Sequence, residues 1–257
     1  MASANNGHFV WYDHLPRDVQ AAISFYAEVV GWKTQAFGEG SHYIMWVGIQ
    51  GPLGGVMKIP EEAAKMGAPP HWMGHVQVED VDATAALAKK LGGQIHKEPE
   101  DIPAVGRFAI IADPQGAFIA LFKPSAAMDL HDLSKDGEFC WNELVTSDSA
   151  SAFKFYSEVF AWKTLQDMDM GPMGTYRIFG IGEKRIGGMM TGPAGAPMPP
   201  MWLYYANTPD LDAAIGRATA KGAKLVSGPM EVPGGARIAQ LLDPQGAVFA
   251  LHQLPKQ

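Results

Sequence analysis

Four side chains of this 257-residue sequence stand out as able to move a proton: Asp13, His75, Glu143 and His252. Asp13 and Glu143 each lie two residues after a tryptophan, Trp11 and Trp141, in aromatic and apolar runs that read as strands. Side chains two apart on a strand share a face, so each carboxylate should share its tryptophan's face. By the same rule His75 shares a face with Met73, Tyr205 with Leu203, and His252 with Ala250; Phe122 stands where His252 does, one half earlier. A carboxylate beside an imidazole makes a general acid–base pair, the acid orienting the ring and holding its pKa near neutrality. The plainer expectation is that each is a hydrogen-bonded polar group in a wet groove, because strand parity assigns a face and not a bonding distance.

The elements that must position these residues are written twice, 130 residues apart. Trp11-Tyr12-Asp13-His14-Leu15 returns as Trp141-Asn142-Glu143-Leu144-Val145, and Phe25-Tyr26 through Trp32-Lys33-Thr34 returns as Phe155-Tyr156 through Trp162-Lys163-Thr164. Pro69-Pro70-x-Trp72 returns as Pro199-Pro200-x-Trp202, and Asp113-Pro114-Gln115-Gly116-Ala117 as Asp243-Pro244-Gln245-Gly246-Ala247. A period this long duplicates a whole domain; solenoid repeats are about 20–50 residues.

Each copy subdivides again. A strand over 8–15 leads to a helix over 18–31, capped by Asp18 and ended by Gly31, with short strands near 33–37, 42–49 and 53–58. After a loop over 60–70 the order restarts with a strand at 72–78, a helix over 82–91, and strands near 94–97, 107–112 and 117–123. Strand–helix–three strands, repeated four times, predicts an α+β fold of βαβββ modules with curved mixed sheets enclosing clefts. The expected modules are 8–60, 70–125, 138–191 and 199–254. They group as a first domain over 1–125 and a second over 138–257, joined by a linker over 126–137. The sequence leaves the pairing of modules open. Every pairing nonetheless gives each cleft one carboxylate and one histidine: Asp13 with His75 or His252, and Glu143 with the other.

Composition narrows the partners. A net charge of −7 and the lack of any Lys/Arg run argue against nucleic acid and anionic membranes. Apolar stretches such as Phe108–Ala112 are far short of the roughly 20 residues a membrane helix needs. The run Met1–Gly7 lacks the basic start and apolar centre of a signal peptide, which fits a cytoplasmic protein. Cys140, the single cysteine, is expected to pack in a strand. Gly54-Gly55 and Gly187-Gly188 precede strands rather than helices, so no phosphate loop is expected there. The expected partner is a small molecule, and the chain is expected to be a monomer or a homodimer.

With these motifs in view, the chain resembles the vicinal oxygen chelate superfamily, which includes glyoxalase I, bleomycin-resistance proteins and extradiol dioxygenases. The resemblance rests on Asp-x-x-x-Ala-x-x-Phe-Tyr-x-x-Val-x-x-Trp at Asp18 and its counterpart at Asp148, on Asp-Pro-x-Gly-Ala at 113 and 243, and on Asp80-Val81-Asp82-Ala83 and Asp210-Leu211-Asp212-Ala213. It implies modules clasping ligand clefts between curved sheets. It also implies where a metal would be held, and there the sequence departs from the pattern. The first-strand ligand position is Trp11 or Trp141, its even-module counterpart is Met73 or Leu203, and the final-strand carboxylate position is Ala120 or Ala250. Such residues cannot coordinate a divalent ion, so no metal or other cofactor is expected.

Two functions follow from this. In the first, Trp11 and Trp141 stack on a flat apolar or cationic ligand in clefts lined also by Met73, Phe122, Leu203 and Tyr205. In the second, the chain is a lyase, isomerase or hydroxylase-like enzyme acting through Asp13/His75 and Glu143/His252, with or without a loosely held metal. Of the other paired tryptophans, Trp32 and Trp162 are expected to cap the core, and Trp72 and Trp202 to line a cleft mouth.

Overall fold

A computed structural model describes residues 5–38, 40–193 and 199–255; the first four positions of the N-terminal run read above lie outside it. The strand–helix–three strands order occurs four times. The first copy contains β1 (Phe9–Leu15), α1 (Val19–Val29), β2 (Lys33–Ala36), β3 (Ile44–Gly48), β4 (Gly51–Val56), α2 (Glu61–Lys65), β5 (His71–Gln77), α3 (Val81–Lys90), β6 (Gln94–Ile102), β7 (Gly106–Ala112) and β8 (Phe118–Pro124). The second contains β9 (Phe139–Thr146), α4 (Ser149–Phe160), β10 (Lys163–Asp169), β11 (Thr175–Ile181), β12 (Lys184–Thr191), β13 (Met201–Asn207), α5 (Leu211–Ala220), β14 (Lys224–Glu231), β15 (Arg237–Leu242) and β16 (Val248–Gln253). One short helix, α2, was not expected: it lies in the stretch read as a loop, where Pro60 and two glutamates suit a helix start.

Strand order is β2-β3-β4-β1-β5-β8-β7-β6 in one eight-stranded sheet and β10-β11-β12-β9-β13-β16-β15-β14 in the other. Both are mixed. β1 runs parallel to β4 and β9 to β12, while hairpins such as β3–β4 and β15–β16 are antiparallel. The four long module helices start at an aspartate whose carboxylate accepts a backbone N–H of the first turn: Asp18, Asp80, Asp148 and Asp210. Such caps contribute about 0.5–2 kcal/mol each.

By contacts the chain gathers into two compact units, each holding one module from either copy. One comprises the stretch ending at Val10, Met73–Leu130 and Trp141–Trp202; the other comprises Trp11–Trp72, His131–Cys140 and Leu203 onward. In the second unit Tyr26, Trp32, Trp46 and Trp72 pack ring against ring, joined by Phe25, Phe139 and Phe249. In the first unit Phe9, Tyr156, Phe160, Trp162, Phe179 and Trp202 do the same. Trp32 and Trp162 are core residues as expected, their indole N–H groups donating to the carbonyls of Gly137 and Gly7.

Trp72 and Trp202 correct the expectation of a cleft mouth. Both are buried, and their N–H groups donate to the hydroxyls of Tyr26 and Tyr156 at 2.9 and 3.1 Å. Their rings point inward because the β5 and β13 strands begin over the core, where an indole buries more apolar area than any other side chain.

The second unit also encloses a histidine. His14 is fully buried, stacks on Trp72 at 4.7 Å, and places Nε2 3.4 Å from Asp243 Oδ2. Burial lowers its pKa from 6.5, Asp243 opposes that shift, and His71 adds to it; the neutral ring prevails. The unfolded chain therefore takes up a proton near pH 6.5 that the folded chain refuses, and stability must fall as pH drops below that value. Leu144 occupies the equivalent position of the second copy. His14→Leu is thus expected to flatten the decline in Tm between pH 7 and 5 relative to the parent protein. Parallel declines in thermal melts across that range would show that His14 is not the group responsible.

Candidate functional site

On β1, Tyr12 and His14 point into the core while Trp11 and Asp13 lie half-buried on the opposite face. The strand-parity expectation holds, and the two residues touch: Trp11 Nε1 donates to Asp13 Oδ1 at 3.1 Å. A third residue completes the group. Tyr43, just ahead of β3, donates its hydroxyl to Asp13 Oδ1 at 2.5 Å and accepts from Trp11 Nε1 at 2.6 Å. Burial, followed by the Asp13 charge, holds the Tyr43 phenol protonated far above its ordinary range, so it is a permanent donor.

The other unit repeats the arrangement. Trp141 Nε1 donates to the Tyr176 hydroxyl at 2.8 Å, and Tyr176 donates to Glu143 Oε2 at 2.8 Å. Burial and Glu143 push the Tyr176 phenol up in the same way. Indole, phenol and carboxylate form a chain of donors ending on the only group that can accept without donating. With its N–H committed, each indole offers a ring face.

Register explains how the tyrosines reach the carboxylates. Asp13 is opposite Gly55 and Glu143 opposite Gly188 across the parallel β1–β4 and β9–β12 pairs. A Cβ on Gly55 would fall 1.9 Å from the Tyr43 hydroxyl oxygen, and one on Gly188 2.2 Å from that of Tyr176. The glycine pairs are seats for the tyrosines. Sequence reasoning missed Tyr43 and Tyr176 because they are 133 residues apart, outside the 130-residue register. Gly55 and Gly188 share that offset of 133, which was the available signal.

The remaining candidates occupy β5, β8, β13 and β16. Met73 and His75 are buried, and His75 meets the edge of Phe122 at 6.1 Å. Leu203 and Tyr205 are buried, the Tyr205 hydroxyl accepting from Gln240 Nε2 at 2.7 Å. Ala120 lies opposite His75, and Ala250 opposite Tyr205. His252, half-buried, uses Nδ1 on Asn207 Oδ1 at 2.7 Å, and burial lowers its pKa with no carboxylate contributing. The expected acid–base partnership of Glu143 with His252 is therefore corrected: an amide orients this imidazole. Asn207 is held by the segment read as a linker, its Nδ2 donating to Leu133 O and Lys135 O at 2.6 and 3.2 Å. Cys140 packs in β9 as expected, and burial pushes its thiol up to about 12. Cavities of about 230 Å³, between α1 and the Asp243 turn, and about 320 Å³, beside β7, include none of the candidate residues.

The metal that the fold implies does not fit these residues. Trp11, Trp141, Met73, Leu203, Ala120 and Ala250 occupy the positions discussed above. Among the described residues no three His, Cys, Asp or Glu side chains come together to hold an ion. The described helices are also too short and polar to cross a membrane.

Mixed βαβββ modules bearing aromatic and carboxylate residues on their first strands define a class, and comparison with known proteins places the chain within it. The chain belongs to the Glyoxalase/Bleomycin resistance protein/Dioxygenase superfamily, whose family model matches residues 8–121 and again 140–251. CFP32 of Mycobacterium tuberculosis (strain CDC 1551 / Oshkosh), provisionally named a glyoxylase, is 32% identical over 96% of this chain and 95% of its own. The anthracycline biosynthesis protein DauV of Streptomyces sp. (strain C5) is 28% identical over 95% of this chain and 92% of its own. Two solved structures share the fold. The Mn(II)-bound glyoxalase of Novosphingobium aromaticivorans has a TM-score of 0.65 at 16% identity, covering 100% of this chain and 84% of its own. Homoprotocatechuate 2,3-dioxygenase of Brevibacterium fuscum, in complex with 3,4-dihydroxyphenylacetate, scores 0.69 at 14% identity, covering 99% and 82%.

If Gly55 exists to seat Tyr43, Gly55→Ala should cost about 1–3 kcal/mol by overpacking. The same substitution should cost far less in a Tyr43→Ala background, as measured by urea denaturation of the four proteins in the cycle. Additive costs would show that the methyl meets something other than the tyrosine.

Proposed function

We propose that this protein binds small planar aromatic molecules against the faces of Trp11 and Trp141, without a metal centre and without a macromolecular partner. The observation that carries this reading is the state of the two indoles. Each is half-buried, and each has its N–H taken up by a tyrosine that a carboxylate in turn holds. An indole fixed at its edge is preorganised to stack, and an aromatic pair is worth about 0.5–1.5 kcal/mol beyond the area it buries.

Relatives lend support of a second kind. DauV, similar along nearly its whole length, is named for the biosynthesis of anthracyclines. A catalytic reading through Asp13, His75, Glu143 and His252 has less behind it, because Asp13 and Glu143 are committed to tyrosines and His252 is oriented by an amide.

Planar quinones and polycyclic aromatics are expected to quench tryptophan emission saturably. Trp11→Ala and Trp141→Ala should each weaken binding severalfold, and prior dialysis against a chelator should leave it unchanged. Absence of quenching across such a panel, or binding that requires an added divalent ion, would overturn the reading.

A further inference from the structure

The two units differ where the duplication would have made them alike. On β16, His252 stands where β8 has Phe122; on β15, Gln240 stands where β7 has Ile110; on β13, Asn207 stands where β5 has Gln77. Neighbouring positions on β7 and β15, Ala109 and Ala239, are buried core on the opposite face, so the half-buried His252 and Gln240 belong to the outward side.

Orientation gives His252 a defined chemistry. The Nδ2 of Asn207 donates to two backbone carbonyls, Leu133 O and Lys135 O, which fixes the amide with Oδ1 toward His252. That oxygen can only accept, so the Nδ1 it faces at 2.7 Å must carry the proton. In the neutral ring Nε2 is then an acceptor. No comparable device exists on β8, where the position is a phenylalanine.

We infer that Asn207 sets His252 as a hydrogen-bond acceptor for the hydroxyl of a phenolic ligand bound on the half-buried face of β15 and β16, whereas the other copy has only the buried Phe122 at that position. This rests on the proposed reading of the chain as an aromatic binder and narrows its ligand to hydroxylated aromatics. Asn207 is a positioning residue that acts through His252. Its anchor, the stretch from His131 to Glu138, acquires a role beyond joining the two copies.

A matched pair of probes, 2-naphthol and naphthalene, tests this by equilibrium dialysis with the full chain. The parent protein should bind 2-naphthol about tenfold more tightly than naphthalene at one site, as expected for one well-placed hydrogen bond of about 1.4 kcal/mol. His252→Phe, which installs the residue of the other copy, should erase that preference, so that the two probes bind with equal affinity. Imidazole 15N spectra supply a readout independent of affinity: Nδ1–H, Nε2-unprotonated in the parent, and a mixture of tautomers in Asn207→Leu. A preference for 2-naphthol that survives His252→Phe, or an Nε2–H tautomer in the parent, overturns the inference and leaves aromatic binding standing. Binding of neither probe overturns both.

Discussion

A buried carboxylate at the Asp-Pro-Gln-Gly turn holds each unit together. In one unit Asp243 Oδ1 accepts the backbone N–H groups of Gln245 and Ala247, closing its own turn, while Oδ2 receives the Tyr26 hydroxyl at 3.2 Å. Tyr26 in turn accepts from Trp72. In the other unit Asp113 closes the same turn with Gln115 and Ala117, Tyr156 lies near enough to oppose the rise in its pKa that burial imposes, and Trp202 donates to Tyr156. The helix motif and the turn motif are therefore two ends of one interaction, and it joins a helix of one copy to a turn of the other. A buried carboxylate stripped of these donors would carry a desolvation penalty of several kcal/mol, which gives the register its rigidity.

That register decides what faces outward. With Tyr12 and His14 committed to the core, a slip of one residue in β1 would bury Asp13 and expose His14, so the strand has a single acceptable setting. Trp11 and Asp13 project from the other side as a consequence. Each first-strand indole is held by a phenol, and the carboxylate two residues on accepts that phenol's hydroxyl. The polarity of the outward face is thereby spent on holding aromatic rings still. Asn207 and His252 extend the same logic, with an amide rather than a carboxylate as the orienting group.

The sequence made much of this legible, and the reasons are local. Four aspartate caps, the glycine after α1 and the strand alternation of β1 and β9 are short-range signals, and they placed the modules to within a few residues. The shared face of Trp11 and Asp13 followed from period two alone. Tyr43 and Tyr176 escaped because the insertion around Gly171–Met173 moves the second copy out of step by three residues, so a fixed offset passes over them. Trp72 escaped for a different reason: whether an indole at a strand start turns inward depends on Tyr26, which is distant in sequence. His252 could be assigned a face but not an orientation, because the carbonyls that fix its amide partner come from a stretch whose composition reads as a linker.

The proposed binding surface is the pair of outward indoles. Indole N–H signals of the 15N-labelled protein test it most directly, since each of the seven tryptophans contributes one. On titration with a planar quinone, the signals of Trp11 and Trp141 are predicted to move saturably while those of the buried Trp32, Trp46, Trp72, Trp162 and Trp202 stay in place. Stationary Trp11 and Trp141 signals, with the ligand bound elsewhere or not at all, would contradict the account.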